Sequence, residues 1–266
     1  MPQPMHLDPS ACAVDGGPVG ALLIHGYGGS AAETRPMGEF LTAEGWTVRC
    51  PLLSGHGTKP EDLIGIRWKV WVDEVESAFH ELQSRCETVF VCGISLGSLL
   101  ALWLGAEHPE IAGLVLMSPA MKIKNPLLPL TPGLRYLVKY APSWALEGGS
   151  LRDPEAIDRL WCYDKLPIWG GAEFYLLQRQ VRKVLTGIRQ PILLFQGRLD
   201  NWLSAQAPQV VYDGVASTDK AVVWMERSGH QVLVDGEREV VWAQSYEWMM
   251  RVLDLTPKAP SERAGN

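Results

Sequence analysis

Short apolar runs alternate with longer amphipathic stretches along most of the chain. The apolar runs have the length of buried strands and lie at 19–26, 46–53, 88–93, 111–119, 190–197 and 220–226. The stretches between and after them predict helices at 30–45, 68–85, 96–110, 204–213 and 236–255. Strands that alternate with helices predict an α/β fold in which a mostly parallel sheet is flanked by helices on both faces.

The sequence indicates where the first predicted helix, at 30–45, begins and ends. Met37, Phe40 and Leu41 recur on one side of it. Pro36 belongs in its first turn, because a proline further along would break the helix. Gly45 follows its end, which is where a helix commonly stops.

The alternation breaks at 119–187, a segment with many prolines and several short amphipathic pieces. We interpret it as an insertion between two strands of a single domain spanning 1–266. Such an insertion would lie as a cap over the carboxyl edge of the sheet, where ligands bind in folds of this class. The last residues, 256–266, have the composition of a disordered tail.

Composition and charge narrow the classes of function. Hydrophobic residues make up 47% of the 266 residues, which is enough to build a sizeable core. The formal net charge is −6, and no stretch is basic enough to face phosphates. A nucleic-acid partner is therefore not expected.

Neither a secretory signal nor a transmembrane segment is visible in the sequence. The start, "MPQPMHLDPSACAVDGG", has no basic region and no continuous apolar region, and the run "LLALWLGA" is too short to cross a bilayer. Five cysteines without a CxxC pair predict free thiols in a reducing compartment, and the His and Cys residues lack metal-ligand spacing. We expect a cytoplasmic protein without a metal site. Its oligomeric state is left open, and a monomer is assumed.

The pentapeptide "GISLG" places Ser95 directly after a predicted strand and directly before a predicted helix. This is the context of the G-x-S-x-G nucleophile elbow. A side chain at Gly93 or Gly97 would collide with the neighbouring strand or helix, which accounts for both glycines. The helix N-terminus beneath the hydroxyl would favour developing negative charge. A chance match is the alternative, but the strand–turn–helix context favours a nucleophile.

A serine nucleophile needs a base, and the chain has six histidines. His230 is the best placed, because it follows the strand at 220–226 and so lies at the carboxyl edge of the sheet. An acid must hold the base in the correct tautomer, and Asp200 follows the strand at 190–197 at the same edge. Asp235 is too close to His230 along the chain to point back at it easily. A role in a surface loop is the alternative for Asp200.

The loop "HGYGGS" follows the first predicted strand, and its glycines let backbone amides approach a ligand closely. We predict that the N–H groups of Tyr27 and Leu96 form an oxyanion hole. The loop could instead be a simple turn or a cradle for phosphate. It does not match G-x-G-x-x-G, however, and no acidic partner for a ribose follows the next strand.

Together "HGYGGS", "LSGHG", "GISLG", "GRLD" and "SGH" resemble the α/β-hydrolase superfamily, and within it they are most similar to monoacylglycerol lipases and small bacterial carboxylesterases. The resemblance runs from about Val19 to Leu255. One departure is Ile94, where many monoacylglycerol lipases have a histidine, and Ile94 fits the bacterial esterases better.

The resemblance implies an α/β-hydrolase fold with an inserted cap and a serine hydrolase without a cofactor. Such an enzyme would cleave carboxylic esters of short to medium acyl chains, including monoacylglycerols, through a Ser-His-Asp triad and an acyl-enzyme. A thioesterase or a carbon–carbon bond hydrolase would use the same triad, so these alternatives stay open. A ligand-binding module on the same fold would not need to keep Ser95, Asp200 and His230 together.

Large apolar side chains are frequent in the predicted cap. We expect some of them to line an acyl pocket over Ser95, since small-molecule sites are mostly apolar. Leu128, Leu134 and Trp144 are the candidates from the cap. Gly26 is expected to lie against the substrate from the side of the sheet.

Overall fold

A computed structural model describes residues 7–141 and 151–255, and its centre is a seven-stranded sheet in the order β1-β3-β2-β4-β5-β6-β7. The strands are β1 (Cys12–Val14), β2 (Val19–Ile24), β3 (Thr47–Cys50), β4 (Thr88–Ile94), β5 (Gly113–Met117), β6 (Ile192–Gly197) and β7 (Lys220–Met225). β1 pairs with β3 antiparallel, and the other neighbouring strands are parallel. The mostly parallel sheet predicted from the sequence is confirmed.

Helices cover both faces of this sheet, which explains why its central strands are apolar on both sides. The helices in the described ranges are α1 (Arg35–Ala43), α2 (Trp68–Gln83), α3 (Leu96–Glu107), α4 (Thr131–Leu134), α5 (Ile168–Val184), α6 (Ala207–Gly214) and α7 (Arg238–Leu255). Buried side chains of α2, α3 and α5 form one apolar cluster, and those of α1 and α7 form another. α3 is apolar around most of its circumference because most of its residues are buried.

All six predicted strands are present, although all except β4 are shorter than predicted. β3 ends at Cys50 rather than at residue 53, because Pro51 has no N–H to donate to a neighbouring strand. β5 spans Gly113–Met117 rather than 111–119. β1 was not predicted, since three residues at an antiparallel edge carry too little pattern to be seen.

The strand order creates a crevice at one edge of the sheet. From β2 the chain places β3 on one side and then places β4 and the later strands on the other, so the direction of winding reverses between β2 and β4. In open α/β sheets ligands bind outside the carboxyl ends of the strands at such a reversal. His25 directly follows β2 and Ser95 directly follows β4. Both predicted motifs therefore lie at the crevice.

Between β5 and β6 the chain leaves the sheet as residues 118–191, which we call the inserted segment. The sequence predicted only short amphipathic pieces here, and this was wrong for α5, which is 17 residues long. Its buried Phe174, Leu177 and Val181 recur three and four residues apart, and the helix packs against α3.

Two predictions fall outside the described residues: Trp144 as a lining residue of an acyl pocket, and the disordered tail at 256–266. Within the described ranges, no helix has both the length and the apolar composition needed to cross a membrane.

Candidate active site

Ser95 forms a sharp turn between β4 and α3. β4 ends at Ile94 and α3 begins at Leu96, so a single residue makes the turn. Its φ of 54° and ψ of −108° are a backbone conformation that residues other than glycine rarely adopt. The Ser95 N–H donates to the carbonyl oxygen of Met117 at 2.9 Å, which holds the strained turn against the end of β5.

Gly93 and Gly97 leave no room for a side chain on either side of this turn. A Cβ on Gly93 would lie 2.2 Å from the carbonyl oxygen of Gly97, and one on Gly97 would lie 2.0 Å from the carbonyl oxygen of Ile24. Both contacts are with backbone, which cannot move aside without disturbing the sheet. The steric reason that the sequence suggested for the two glycines is therefore confirmed.

Asp200 and His230 form a buried hydrogen-bonded pair, with Oδ2 of the aspartate 2.8 Å from Nδ1 of the histidine. Oδ1 of Asp200 accepts the backbone N–H groups of Trp202 and Leu203 at 2.7 and 2.9 Å. Oδ2 also accepts Nε2 of Gln196 at 2.8 Å. A carboxylate held in this way directs the Nδ1–H of the imidazole toward itself and leaves Nε2 as the proton acceptor.

Burial disfavours the charged forms of both Asp200 and His230, but their mutual attraction and hydrogen bonds outweigh this cost. Burial raises the pKa of Asp200, while the charge and hydrogen bond of His230 and the backbone donors lower it, and the net result is a pKa of about 2. Burial lowers the pKa of His230, while Asp200 and then Glu33 raise it, and the net result lies above the ordinary value. His230 is therefore a stronger base than a free histidine.

Two neighbours fix the position of His230. The indole of Trp202 stacks on the imidazole, with 5.7 Å between ring centroids and 13° between the planes. The hydroxyl of Ser118 donates to the backbone carbonyl of His230 at 2.6 Å. Ser118 directly follows Met117, which accepts the Ser95 N–H. The end of β5 thus joins the serine turn to the histidine loop.

The loop after β2 is held through the carbonyl group of Gly26. Nδ1 of His25 lies 2.9 Å from this oxygen, and Nε2 of His25 accepts the N–H of Leu53 at 3.1 Å. Burial lowers the pKa of His25 to about 4, so the ring is neutral and donates from Nδ1. The N–H of Gly29 donates to the same carbonyl at 3.2 Å. Because the peptide bond is trans, the N–H of Tyr27 points away from these donors.

Tyr27 and Leu96 present the two backbone N–H groups that were predicted as an oxyanion hole. Neither N–H has an acceptor among the described residues. Leu96 is the first residue of α3, where a helix offers no internal partner for the N–H. A Cβ on Gly26 would lie 3.5 Å from Cβ of Ser95, so the loop that carries Tyr27 is adjacent to the serine turn.

The inserted segment packs directly onto the loop after β2. The N–H of Tyr163 donates to the carbonyl oxygen of Gly28 at 2.9 Å. The hydroxyl of Tyr27 donates to the carbonyl oxygen of Pro167 at 3.1 Å. The predicted oxyanion loop is therefore in contact with the segment that was predicted to be a cap.

The two leucines predicted to line an acyl pocket are less exposed than their apolar neighbours along the chain. Leu128 and Leu134 are both half-buried, and Leu128 packs against the apolar cluster that contains α3. Their apolar neighbours along the chain are exposed to solvent instead: Leu127, Leu130, Leu137 and Val138.

Asp235 ties the inserted segment to the loop that carries His230. Its carboxylate accepts the backbone N–H groups of Arg152 and Asp153 at 2.7 to 3.1 Å. Oδ2 also accepts, at 2.7 Å, the N–H of Gly229, which directly precedes His230. The Asp235 carboxylate is therefore bonded to backbone N–H groups on both sides.

Sequence reasoning missed three residues that shape this region, Glu33, Ser118 and Trp202, and it missed the structural role of Asp235. Trp202 and Asp235 lie within a few positions of the motifs "GRLD" and "SGH", and that proximity was the only signal for them. Ser118 and Glu33 belong to no motif. Ser118 reaches the site through its bond to the carbonyl of His230, which is distant along the chain. Glu33 reaches it from the turn before α1 through its bond to the N–H of Gly26.

Two of the cysteine thiols are neighbours, because Cys12 and Cys50 are paired across β1 and β3 and their side chains share a hydrogen bond. Across 7–141 and 151–255, no group of three or more His, Cys, Asp and Glu side chains could hold a metal ion. The five cysteines, all of which are described, are free.

Comparison with known proteins gives matches over most of the chain. The family described as serine aminopeptidase, S33, matches residues 20–237. The chain is 32% identical over 237 residues to the thermostable monoacylglycerol lipase of Bacillus sp. (strain H-257), covering 89% of this chain and 92% of that protein. It is 31% identical over 246 residues to the carboxylesterase of Bacillus subtilis (strain 168), covering 92% of this chain and 97% of that protein.

Solved structures share the fold at lower sequence identity. A structure of the metagenome-derived lipolytic enzymes LipS and LipT has a TM-score of 0.86 at 24% identity, covering 92% of this chain and 98% of that one. The monoacylglycerol lipase of Paleococcus ferrophilus has a TM-score of 0.76 at 20% identity, covering 91% and 98%. These likenesses establish the arrangement of the sheet and helices.

Proposed function

Because this chain belongs to the serine aminopeptidase S33 family, whose fold here is that of the α/β-hydrolases, we propose that it is a serine hydrolase cleaving carboxylic esters of short to medium acyl chains. The observation that carries the proposal is the buried Asp200–His230 pair, which lies at the same edge of the sheet as the strained Ser95. The names of the two Bacillus relatives, a monoacylglycerol lipase and a carboxylesterase, support the same class of substrate.

Ser95 is the nucleophile of the proposed reaction. Its Oγ adds to the carbonyl carbon of the ester while Nε2 of His230 takes the hydroxyl proton. The tetrahedral intermediate collapses to an acyl-enzyme, and His230 returns the proton to the departing alkoxide, which leaves as the alcohol. Water then gives a proton to the same nitrogen and attacks the acyl group. The second tetrahedral intermediate collapses, His230 returns the proton to Oγ of Ser95, and the carboxylic acid leaves.

Asp200 supports the base in both steps. Its hydrogen bond to Nδ1 keeps Nε2 of His230 free to accept a proton, and its charge stabilises the imidazolium that forms. The low pKa of about 2 keeps Asp200 ionised throughout the working range of a histidine base.

The N–H groups of Tyr27 and Leu96 stabilise the negative charge of the tetrahedral intermediate. Both belong to rigid backbone, so they need little reorganisation when the charge develops. One donor of this kind is worth roughly 3 kcal/mol in the transition state. Gly26 lacks a side chain beside Ser95, which leaves room for the substrate carbonyl.

The inserted segment is proposed to act as the cap that binds the acyl chain. It packs on the loop after β2, and its half-buried Leu128 and Leu134 are the apolar side chains assigned to the acyl group. Trp144 is assigned the same role from its sequence alone. Each buried CH₂ of an acyl chain contributes about 0.8 kcal/mol until the pocket is filled. A cytoplasmic location and a monomeric state stay predictions.

Labelling with a fluorophosphonate probe, together with rates on p-nitrophenyl esters, tests the proposal. We expect one probe per chain on the wild type, no labelling of Ser95→Ala, and a loss of roughly 10⁶-fold in kcat for that variant. Ser84→Ala, at an exposed position after α2, is the matched control and should keep full rate. Matched oxygen and sulfur esters distinguish an esterase from a thioesterase. Wild-type activity in Ser95→Ala would contradict the proposal.

A further inference from the structure

Glu33 is a buried carboxyl group that the proposed reaction does not use. It is 1% exposed and ends the short helical turn Ala31–Glu33 that leads into α1. Its Oε2 accepts the N–H of Gly26 at 2.6 Å. Its Oε1 is buried without a hydrogen-bond partner among the described residues. An ionisable group is costly to bury in this way, so a purely structural role does not account for it well.

This carboxyl group lies between two loops of the candidate site. A Cβ on Gly26 would lie 3.2 Å from Oε2 of Glu33 and 3.5 Å from Cβ of Ser95, which places the carboxyl just behind the serine turn. Gln231, which directly follows His230, has a side chain near enough to lower the pKa of Glu33. Glu33 therefore bonds to the oxyanion loop and lies within electrostatic reach of the histidine loop.

The pKa of Glu33 depends on the charge of His230, and Glu33 in turn affects the pKa of His230 and of Cys162. Burial raises the pKa of Glu33 to about 7, while the Gly26 N–H and then the charge of His230 oppose the rise. Burial and then Glu33 raise the pKa of Cys162, in the inserted segment, to about 11, so this thiol stays protonated near neutral pH. Glu33 and His230 therefore each favour the charged form of the other, because a carboxylate and an imidazolium attract.

We propose that Glu33 is a positioning residue, which fixes the oxyanion loop through Gly26 and whose negative charge favours the protonated form of His230. This inference rests on the proposed function and adds a second carboxylate to it. Asp200 acts on His230 through a direct hydrogen bond, whereas Glu33 acts on it through space.

The positioning role follows from how the loop is bonded. Glu33 holds the N–H of Gly26, while His25 and Gly29 hold its carbonyl group. The peptide that carries the Tyr27 N–H is thus fixed from both sides. Loss of the carboxyl would release one side, and the donor would no longer meet the developing oxyanion at the best distance.

Two substitutions separate the hydrogen bond from the charge. Glu33→Gln keeps an oxygen that can accept the Gly26 N–H but cannot ionise, and Glu33→Ala removes both functions. For Glu33→Ala we expect kcat on a p-nitrophenyl ester to fall about tenfold with KM nearly unchanged, because an oxyanion donor acts mainly in the transition state. For Glu33→Gln we expect kcat at pH 9 to stay within about threefold of wild type, since the amide oxygen still accepts the bond.

The pH profile tests the charge. The acidic limb of kcat/KM reports the pKa of His230 in the free enzyme. In Glu33→Gln this limb should move to lower pH by about 0.5 unit, because a neutral amide no longer raises the pKa of His230. Glu173→Gln is the matched control: Glu173 is 4% exposed and bonded to Arg135 and to the N–H of Trp68. It should leave the acidic limb in place.

An unchanged acidic limb in Glu33→Gln would overturn the proposal, as would wild-type kcat in a folded Glu33→Ala. If Glu33→Ala does not fold, the acidic limb of Glu33→Gln decides alone. Failure of the proposed function would look different, since the wild type would then not react with the fluorophosphonate probe.

Discussion

The hydroxyl of Ser118 donates a 2.6 Å hydrogen bond to the backbone carbonyl of His230. Ser118 has a φ of 44°, and its N–H donates to the carbonyl of Phe195 in β6. A strained residue at the end of β5 therefore ties the loop after β7 to the middle of the sheet. The imidazole is positioned from three strand ends, because Asp200 after β6 holds its ring.

Replacing Ser118 should slow the reaction while leaving the nucleophile reactive. Ser118→Ala leaves the buried carbonyl of His230 without a partner, which costs about 1–3 kcal/mol of unfolding free energy. We expect kcat to fall about fivefold to tenfold as the base loses its alignment. Ser118→Gly is the control, since glycine tolerates the positive φ but also lacks the hydroxyl. If Ser118→Gly keeps wild-type kcat, the backbone conformation rather than the hydrogen bond is what matters.

Asp200→Asn should reduce kcat by roughly 10⁴-fold, because an amide can favour the wrong tautomer of the imidazole. It should also shift the acidic limb of the pH profile. Asp200 raises the pKa of His230 above the ordinary 6.5, so the wild type loses activity as the pH falls through a value above 6.5. Without the negative charge the pKa of His230 falls, and the limb moves to lower pH. A limb that stays in place would show that another group holds the histidine.

Gly97→Ala should prevent correct folding of the serine turn. The added Cβ would lie 2.0 Å from a backbone oxygen of Ile24, and the strain should exceed about 3 kcal/mol of unfolding free energy. Gly133→Ala is the matched control, because a Cβ at this position in α4 meets nothing within 4 Å. It should be neutral or stabilise by up to about 1 kcal/mol, as alanine favours helix. Thermal unfolding of the two variants measures the difference.

Leu128→Ala and Leu134→Ala should change the preferred acyl length. For the wild type we expect kcat/KM on p-nitrophenyl esters to rise about fourfold per added CH₂ through short chains, to peak at short-to-medium length, and then to fall. The two variants should move this peak. Leu137→Ala, whose side chain is 84% exposed, is the control and should leave it in place. A flat profile in the wild type would contradict an apolar acyl pocket.

The sequence could predict a site residue whenever that residue follows a recognisable strand. Ser95, Asp200 and His230 each follow a predicted strand, and parallel strands bring such ends to one edge without further information. Glu33 could not be predicted in the same way, because its role depends on how the turn before α1 folds back onto Gly26. The periodicity of α5 was present in the sequence, but the prolines around it obscured the helix.

The Asp235 carboxylate bonds both to the inserted segment and to the loop that carries His230. An exchange of the inserted segment between related hydrolases must therefore preserve these bonds. A chimera would have to present two backbone amides where Arg152 and Asp153 now present theirs. A segment that fails to do so leaves the carboxylate attached only on the side of Gly229, beside the base. Leu130 and Leu137 are exposed to solvent, so replacing the residues around them does not require these hydrogen bonds to be rebuilt. Grafts of the inserted segment should therefore keep the Asp235 junction unchanged.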